Sequence, residues 1–204
     1  MPRASSLKKV YSWSYMKYKI ILVLMTSLFL LPSCQTPQNK DSVVDAQINS
    51  SMNPTEKISP MNAEFLIQMA DARMMDLATG ELAEKRGAKK AVKDYGRKMV
   101  LDQEIMLEEI RSLAQMNGVT LPKEISDDKK SALKDLKKLK GRKFDKQFMT
   151  LIQRDHERDI RKFSDVKVSD AHINDPAIGA YAKNRLPMIE EHLAQVIEIQ
   201  KKYK

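Results

Sequence analysis

The 204-residue sequence predicts an all-α domain, an antiparallel four-helix bundle with an extra short helix between the second and third long helices. Three observations carry this. Ala, Met, Leu, Lys and Glu dominate and glycine is scarce, with six in the chain, a composition that favours helix. Apolar residues recur at intervals of three and four along four segments, each of about 23–29 residues or roughly 35–43 Å at 1.5 Å per residue. No segment alternates apolar and polar residues over any length, so no sheet is expected.

The first long helix begins at Ser59, a cap residue followed by Pro60, because the missing N–H of proline is harmless in the first turn. Its stripe is Phe65, Leu66, Met69, Ala72, Leu77 and Leu82, and Gly87 ends or kinks it. The second runs from about Ala88 to Met116 on Val92, Tyr95, Met99, Met106, Ile110 and Leu113, and Asn117-Gly118 stops it. The short helix covers about Asp127 to Leu139 and breaks at Gly141. The third long helix, Lys143 to about Asp165, buries Phe144, Phe148, Ile152, His156, Ile160 and Phe163. A loop over 166–174 carries His172. Asp175-Pro176 opens the fourth, whose stripe is Ile178, Tyr181, Leu186, Ile189, Val196 and Ile197. Pro187 inside it removes one backbone bond and is expected to kink it near Lys183.

The N-terminus has a different grammar. Residues 1–19 carry Arg3, Lys8, Lys9, Lys17 and Lys19 and no acid, and Ile20–Leu31 is an apolar run broken by Thr26 and Ser27. Leu31-Pro32-Ser33-Cys34 follows. A basic stretch, a short apolar stretch and a small residue before the cut make a secretory signal, and the run is short for a membrane span. Leu three positions before the cut, Ser just before it and then Cys resemble a lipobox, in which the thiol is alkylated by diacylglycerol. Residues 1–33 are thus expected to be removed, leaving Cys34 as the lipidated first residue. Pro32 is an uncommon filler there. Met16 opens a more usual signal, Met-Lys-Tyr-Lys, and is an alternative start. Cys34 is the one cysteine of the chain, so no disulfide competes for it. Gln35, where an Asp would favour inner-membrane retention, leans towards the outer membrane. Residues 34–58 are polar and read as a tether, and residues 59–204 as the folded domain.

Charge excludes one class of partner. The chain is +9, but the expected signal supplies five basic residues and no acid. The mature 171 residues therefore hold 31 basic against 27 acidic, or +4. That balance gives no footprint for nucleic acid. The expected partners are the membrane, through lipid, and an envelope protein or glycan. Residues 129–146 hold nine Lys or Arg interleaved with Asp135 and Asp145, which reads as a solvated face or as a basic surface for anionic headgroups. Thirteen methionines read as core filler or as soft copper(I) ligands. No nucleophile with a base, phosphate-cradling loop or paired-carboxylate signature is present, so no catalytic residue is assigned.

Four stretches, AVKDYGRKMVLDQ (91–103), GVTLP (118–122), GRKFDKQFMTLIQRDH (141–156) and LPMIEEHL (186–193), resemble the DUF4142 family over about residues 60–200. The resemblance implies a bacterial envelope protein of unknown function with a ferritin-like helical bundle. The family pattern has a His on the second, third and fourth long helices. Here the third is His156 and the fourth His192, while the second is Gln103. A ferritin-type di-iron centre needs Glu-x-x-His on two helices, and no such motif exists. Gln153 precedes His156 by three and Ile189 precedes His192 by three. A looser transition-metal site would combine His156 and His192 with a carboxylate from Asp102, Asp155 or Glu191. The alternative is a buried polar cluster in which Gln103 and the histidines hydrogen-bond across the core and fix helix register. No cofactor is assigned. Asp155 and His156 form no dyad, since neighbours on a helix point about 100° apart.

Overall fold

The computed structural model describes residues 42–44, 46–47, 58–168 and 175–203. The expected signal segment, Met16, Cys34, His172 and most of the expected tether lie outside the described residues. Among the described residues every regular element is a helix and there is no strand: α1 (Pro60–Arg86), α2 (Lys90–Asn117), α3 (Asp127–Lys138), α4 (Gly141–Val168) and α5 (Pro176–Lys201). Residues 42–44 and 46–47 are helical too, and Ala46 is 2% exposed within the core. This part of the stretch read as a tether therefore packs on the domain. No helix among the described residues is long and apolar enough to cross a membrane.

The expected caps are in place. The Ser59 side chain accepts from Asn62 N–H at 3.3 Å, and Asp175 accepts from Ala177 and Ile178 N–H at 2.7 and 3.3 Å. Gly118 ends α2 in the left-handed region at φ 67°, where a Cβ would be strained. The N-terminus of α2 has no side-chain cap of its own. Asp145 of α4 accepts from Ala88 and Lys89 N–H at 2.8 and 3.0 Å, so the donors at and just before the cap position are satisfied from a neighbouring helix. Helix α4 continues three residues beyond the loop start expected at 166, and α5 runs through Pro187 as one helix from Pro176 to Lys201.

Two apolar clusters fill the interior. One joins Phe65, Leu66 and Met69 of α1, Met106 and Ile110 of α2, Phe163 of α4 and Ile178 and Ile189 of α5. The other joins Met75 and Ala83 of α1, Tyr95 and Met99 of α2, Phe144 and Ile152 of α4 and Val196 of α5. Helices α1 and α5 meet the first cluster and then the second; α2 and α4 meet them in the reverse order. Thus α1 and α2 run antiparallel, as do α4 and α5, while α2 and α4 run the same way. Residues 118–140, including α3, carry the chain back along α1. Asp71 accepts from Ser126 N–H at 2.8 Å and Lys129 Nζ at 2.7 Å at the start of α3. At its end Arg86 donates to the carbonyls of Lys137 and Leu139, both at 2.8 Å.

Helices α1 and α2 touch where both are smallest. A Cβ on Gly96 would lie 2.7 Å from Gly80 O and 2.8 Å from Glu84 N, so this backbone contact excludes any side chain at Gly96.

Candidate functional site

Between the two apolar clusters every long helix contributes polar side chains, giving one layer across the interior. Arg73 and Asp76 come from α1, Asp102 and Gln103 from α2, His156 and Asp159 from α4, and His192 from α5. Arg73, Asp76, Gln103, His156, Asp159 and His192 are each at most 2% exposed. An isolated buried charge is very costly, so such groups must be paired.

Arg73 does the pairing. Its guanidinium donates to Asp159, lies 3.2 Å from Asp76 Oδ2 and reaches Met106 Sδ at 3.8 Å. Burial alone would lower the Arg73 pKa, but the Asp159 and Asp76 carboxylates override it and hold the group above its ordinary value. Asp76 is pushed up to about 7, chiefly by burial and then by the neighbouring carboxylate of Asp159, with Arg73 opposing. One ligand atom each from Asp76, His156 and Asp159 lies within 4.8 Å of the others.

His156 meets the Tyr95 hydroxyl through Nε2 at 3.3 Å. Burial, then the positive field of Arg73, holds it well below its ordinary value, so it is neutral at pH 7. Its ring stacks on His192, with centroids 5.6 Å apart and planes 29° apart. His192 sets Nε2 2.7 Å from Asp102 Oδ2, the same oxygen that takes Lys98 Nζ at 2.7 Å. Its pKa is lowered by burial against the opposing pull of Asp102.

The structure thus brings together His156 and His192, and links Asp102 to the second. The rest of the expected set is arranged otherwise. Asp155 turns to Arg158 and Arg154, at 3.0 and 3.5 Å. The Glu191 side chain is 58% exposed and 3.6 Å from Lys98. Gln103 is fully buried, but neither of its amide atoms hydrogen-bonds within the protein. The hydrogen bonds expected between Gln103 and the histidines are therefore not made. Tyr95 and Asp102 take the histidines because both lie within reach of an Nε2. Met69, Met75, Met99, Met106 and Met149 sit inside the apolar clusters.

Arg73, Asp76 and Asp159 were not read from the sequence. A signal existed in the spacing Arg73-x-x-Asp76 and His156-x-x-Asp159, which places both members of each pair on one helix face.

Comparison with known proteins adds a family. The model of DUF4142, a domain of unknown function, matches residues 47–199. The chain belongs to DUF4142. Among solved structures, the DUF4142 chain is similar to a DUF305 fragment from Deinococcus radiodurans. The TM-score is 0.62 at 14% identity, over 71% of this chain and 98% of that one. At that identity the likeness speaks for the fold alone. No curated protein matches the sequence.

Proposed function

We propose that this is a lipid-anchored, non-enzymatic envelope module whose ferritin-like four-helix bundle presents binding surfaces and carries no reaction centre. The observation behind the non-enzymatic reading is the guanidinium of Arg73. It lies where a substrate or cation would meet the two buried carboxylates, and it belongs to the chain. Arg73, Asp76, His156 and Asp159 are each at most 2% exposed, and the layer meets the surface through Asp102 and Lys98 at its His192 side. Helix directions support the ferritin-like description, because folds of that type have a single long crossover, here the return through α3. Anchoring rests on the Leu-Pro-Ser-Cys sequence at 31–34, and Gln35 favours the outer membrane, with the domain facing the periplasm.

A metal-binding reading has one observation in its favour, the approach of Asp76, His156 and Asp159 to within 4.8 Å. Two carboxylates and an imidazole suit a divalent transition ion, and the set shares only His156 with the one expected from sequence, His156 and His192 with a carboxylate from Asp102, Asp155 or Glu191. Arg73 argues against it, since a divalent ion at that point would stand against a guanidinium that already binds both carboxylates.

Labelling cells with a clickable fatty acid tests the anchor. The intact protein takes the label and fractionates with membranes, and Cys34→Ala loses both properties. Label retained in Cys34→Ala contradicts the reading. Crosslinking in the envelope followed by pull-down then identifies what the domain binds.

A further inference from the structure

The basic stretch at the α3–α4 corner is not absorbed by the bundle. Lys134, Lys137, Lys140, Lys143 and Lys146 fall at every third residue through this corner, and all five are exposed. None makes an ion pair among the described residues. In the sequence two acids interrupt the run, but in the fold they do not neutralise it. Asp145 is fully buried and turned inward, where it accepts from Ala88 and Lys89 N–H and from the Tyr203 hydroxyl. Asp135 is held by Lys138 at 2.7 Å. The surface is therefore more basic than the sequence suggests.

Its position is also informative. It lies where α1 and α5 end and α2 and α4 begin. A cavity of about 220 Å³ beside it is lined by Lys89, Arg142 and Lys202, which extend the positive surface across the end of the domain. Val43, Ala46 and Ile58 pack at the other end, with the cluster containing Phe65 and Ile178. The lysine corner and these residues thus lie at opposite ends of the bundle. The five lysines are spread along the chain from α3 through the turn into α4, and none of them lines the cavity beside them. Such an array reads charge density along an extended chain.

We infer that the lysine corner formed by α3 and α4 is a docking surface for an anionic glycan, an envelope polysaccharide bearing carboxylate or phosphate groups along its length. It names a partner class for the envelope module, yet it does not depend on lipidation at Cys34, so either can fail alone.

The test uses the mature chain with Cys34→Ser, titrated with polygalacturonate as a carboxylated glycan, with neutral dextran, and with vesicles of 30% anionic phospholipid in neutral lipid. Polygalacturonate is expected to bind and to weaken steeply with salt, because exposed charges are screened beyond about 10 Å at 0.1 M. Dextran is expected not to bind. Each exposed contact contributes roughly 1.4-fold to fivefold, so Lys137→Gln/Lys140→Gln/Lys143→Gln should weaken binding about threefold or more with an unchanged helical spectrum. Glycan binding that the triple variant leaves intact overturns the inference, as does absence of glycan binding. Tighter binding to the anionic vesicles than to the glycan also overturns it, assigning the corner to a lipid surface.

Discussion

Replacing Arg73 by Met tests the interior most sharply. The side chain is fully buried and faces Asp76 and Asp159, themselves 2% and 1% exposed. Met is of similar length, so the apolar stem is largely kept and the loss isolates the charge. Removing one partner of a buried ion pair leaves an uncompensated charge, with a cost of about 3–5 kcal/mol. For a domain of this size that is a fall in Tm of roughly 10 °C or more. Urea unfolding of the purified protein, followed by circular dichroism at pH 7, measures it. Arg73→Met/Asp159→Asn removes the stranded charge as well and should recover at least about 1 kcal/mol, a coupling that contact between the two side chains requires. A loss below about 1 kcal/mol for Arg73→Met, or strictly additive losses in the double variant, would refute the claim that the guanidinium neutralises the layer.

Three further outcomes follow from the same geometry. Asp76 has a folded pKa raised to about 7 from 3.8, so its contribution to stability is present in acid and lost as pH rises from about 4 to 7. His156 and His192 are depressed, so theirs is lost as pH falls below the unfolded value of about 6.5. Asp76→Asn should therefore make stability rise more steeply with pH between 4 and 6.5 than in the parent, measured by urea midpoints across that range; a parallel profile contradicts the assignment. Gly96→Ala should destabilise by about 1–3 kcal/mol, because its Cβ would meet Gly80 O at 2.7 Å, and an unchanged urea midpoint would count against that contact. Asp145→Ala should cost about 1–3 kcal/mol and raise amide exchange selectively at Ala88 and Lys89, whereas uniform exchange across α2 would show that the cap is not local.

Much of the domain is legible in the sequence because helical periodicity reports apolar residues. The stripe Val92, Tyr95, Met99, Met106, Ile110 and Leu113 is buried throughout, and Ser59, Gly118 and Asp175 cap where their side-chain chemistry says they should. Helix α1 is where that reading weakens. Beyond Ala72 its buried line runs through Arg73, Met75, Asp76, Thr79, Gly80 and Ala83, while Leu77 and Leu82 are only partly buried. A line that contains a guanidinium, a carboxylate and a glycine has no apolar period to detect. The parallel run of α2 and α4 was hidden for a related reason. Equal helix lengths suggest simple alternation, and only Asp71 and Arg86, binding the two ends of α3, show that the crossover returns along α1. In the polar layer the sequence pointed to the histidines. It could not show that Asp155 turns to arginines or that Asp76 and Asp159 replace it beside His156. Those facts depend on helix rotation, which a single helix's spacing leaves open.

Elemental analysis of the protein, purified without chelator and then dialysed against manganese, iron(II) or zinc, tests the central claim that Arg73 supplies the positive charge of the buried layer. The account predicts less than a stoichiometric amount of any metal, unchanged in Asp76→Asn and His156→Gln. One equivalent of metal per chain that both substitutions abolish would contradict it.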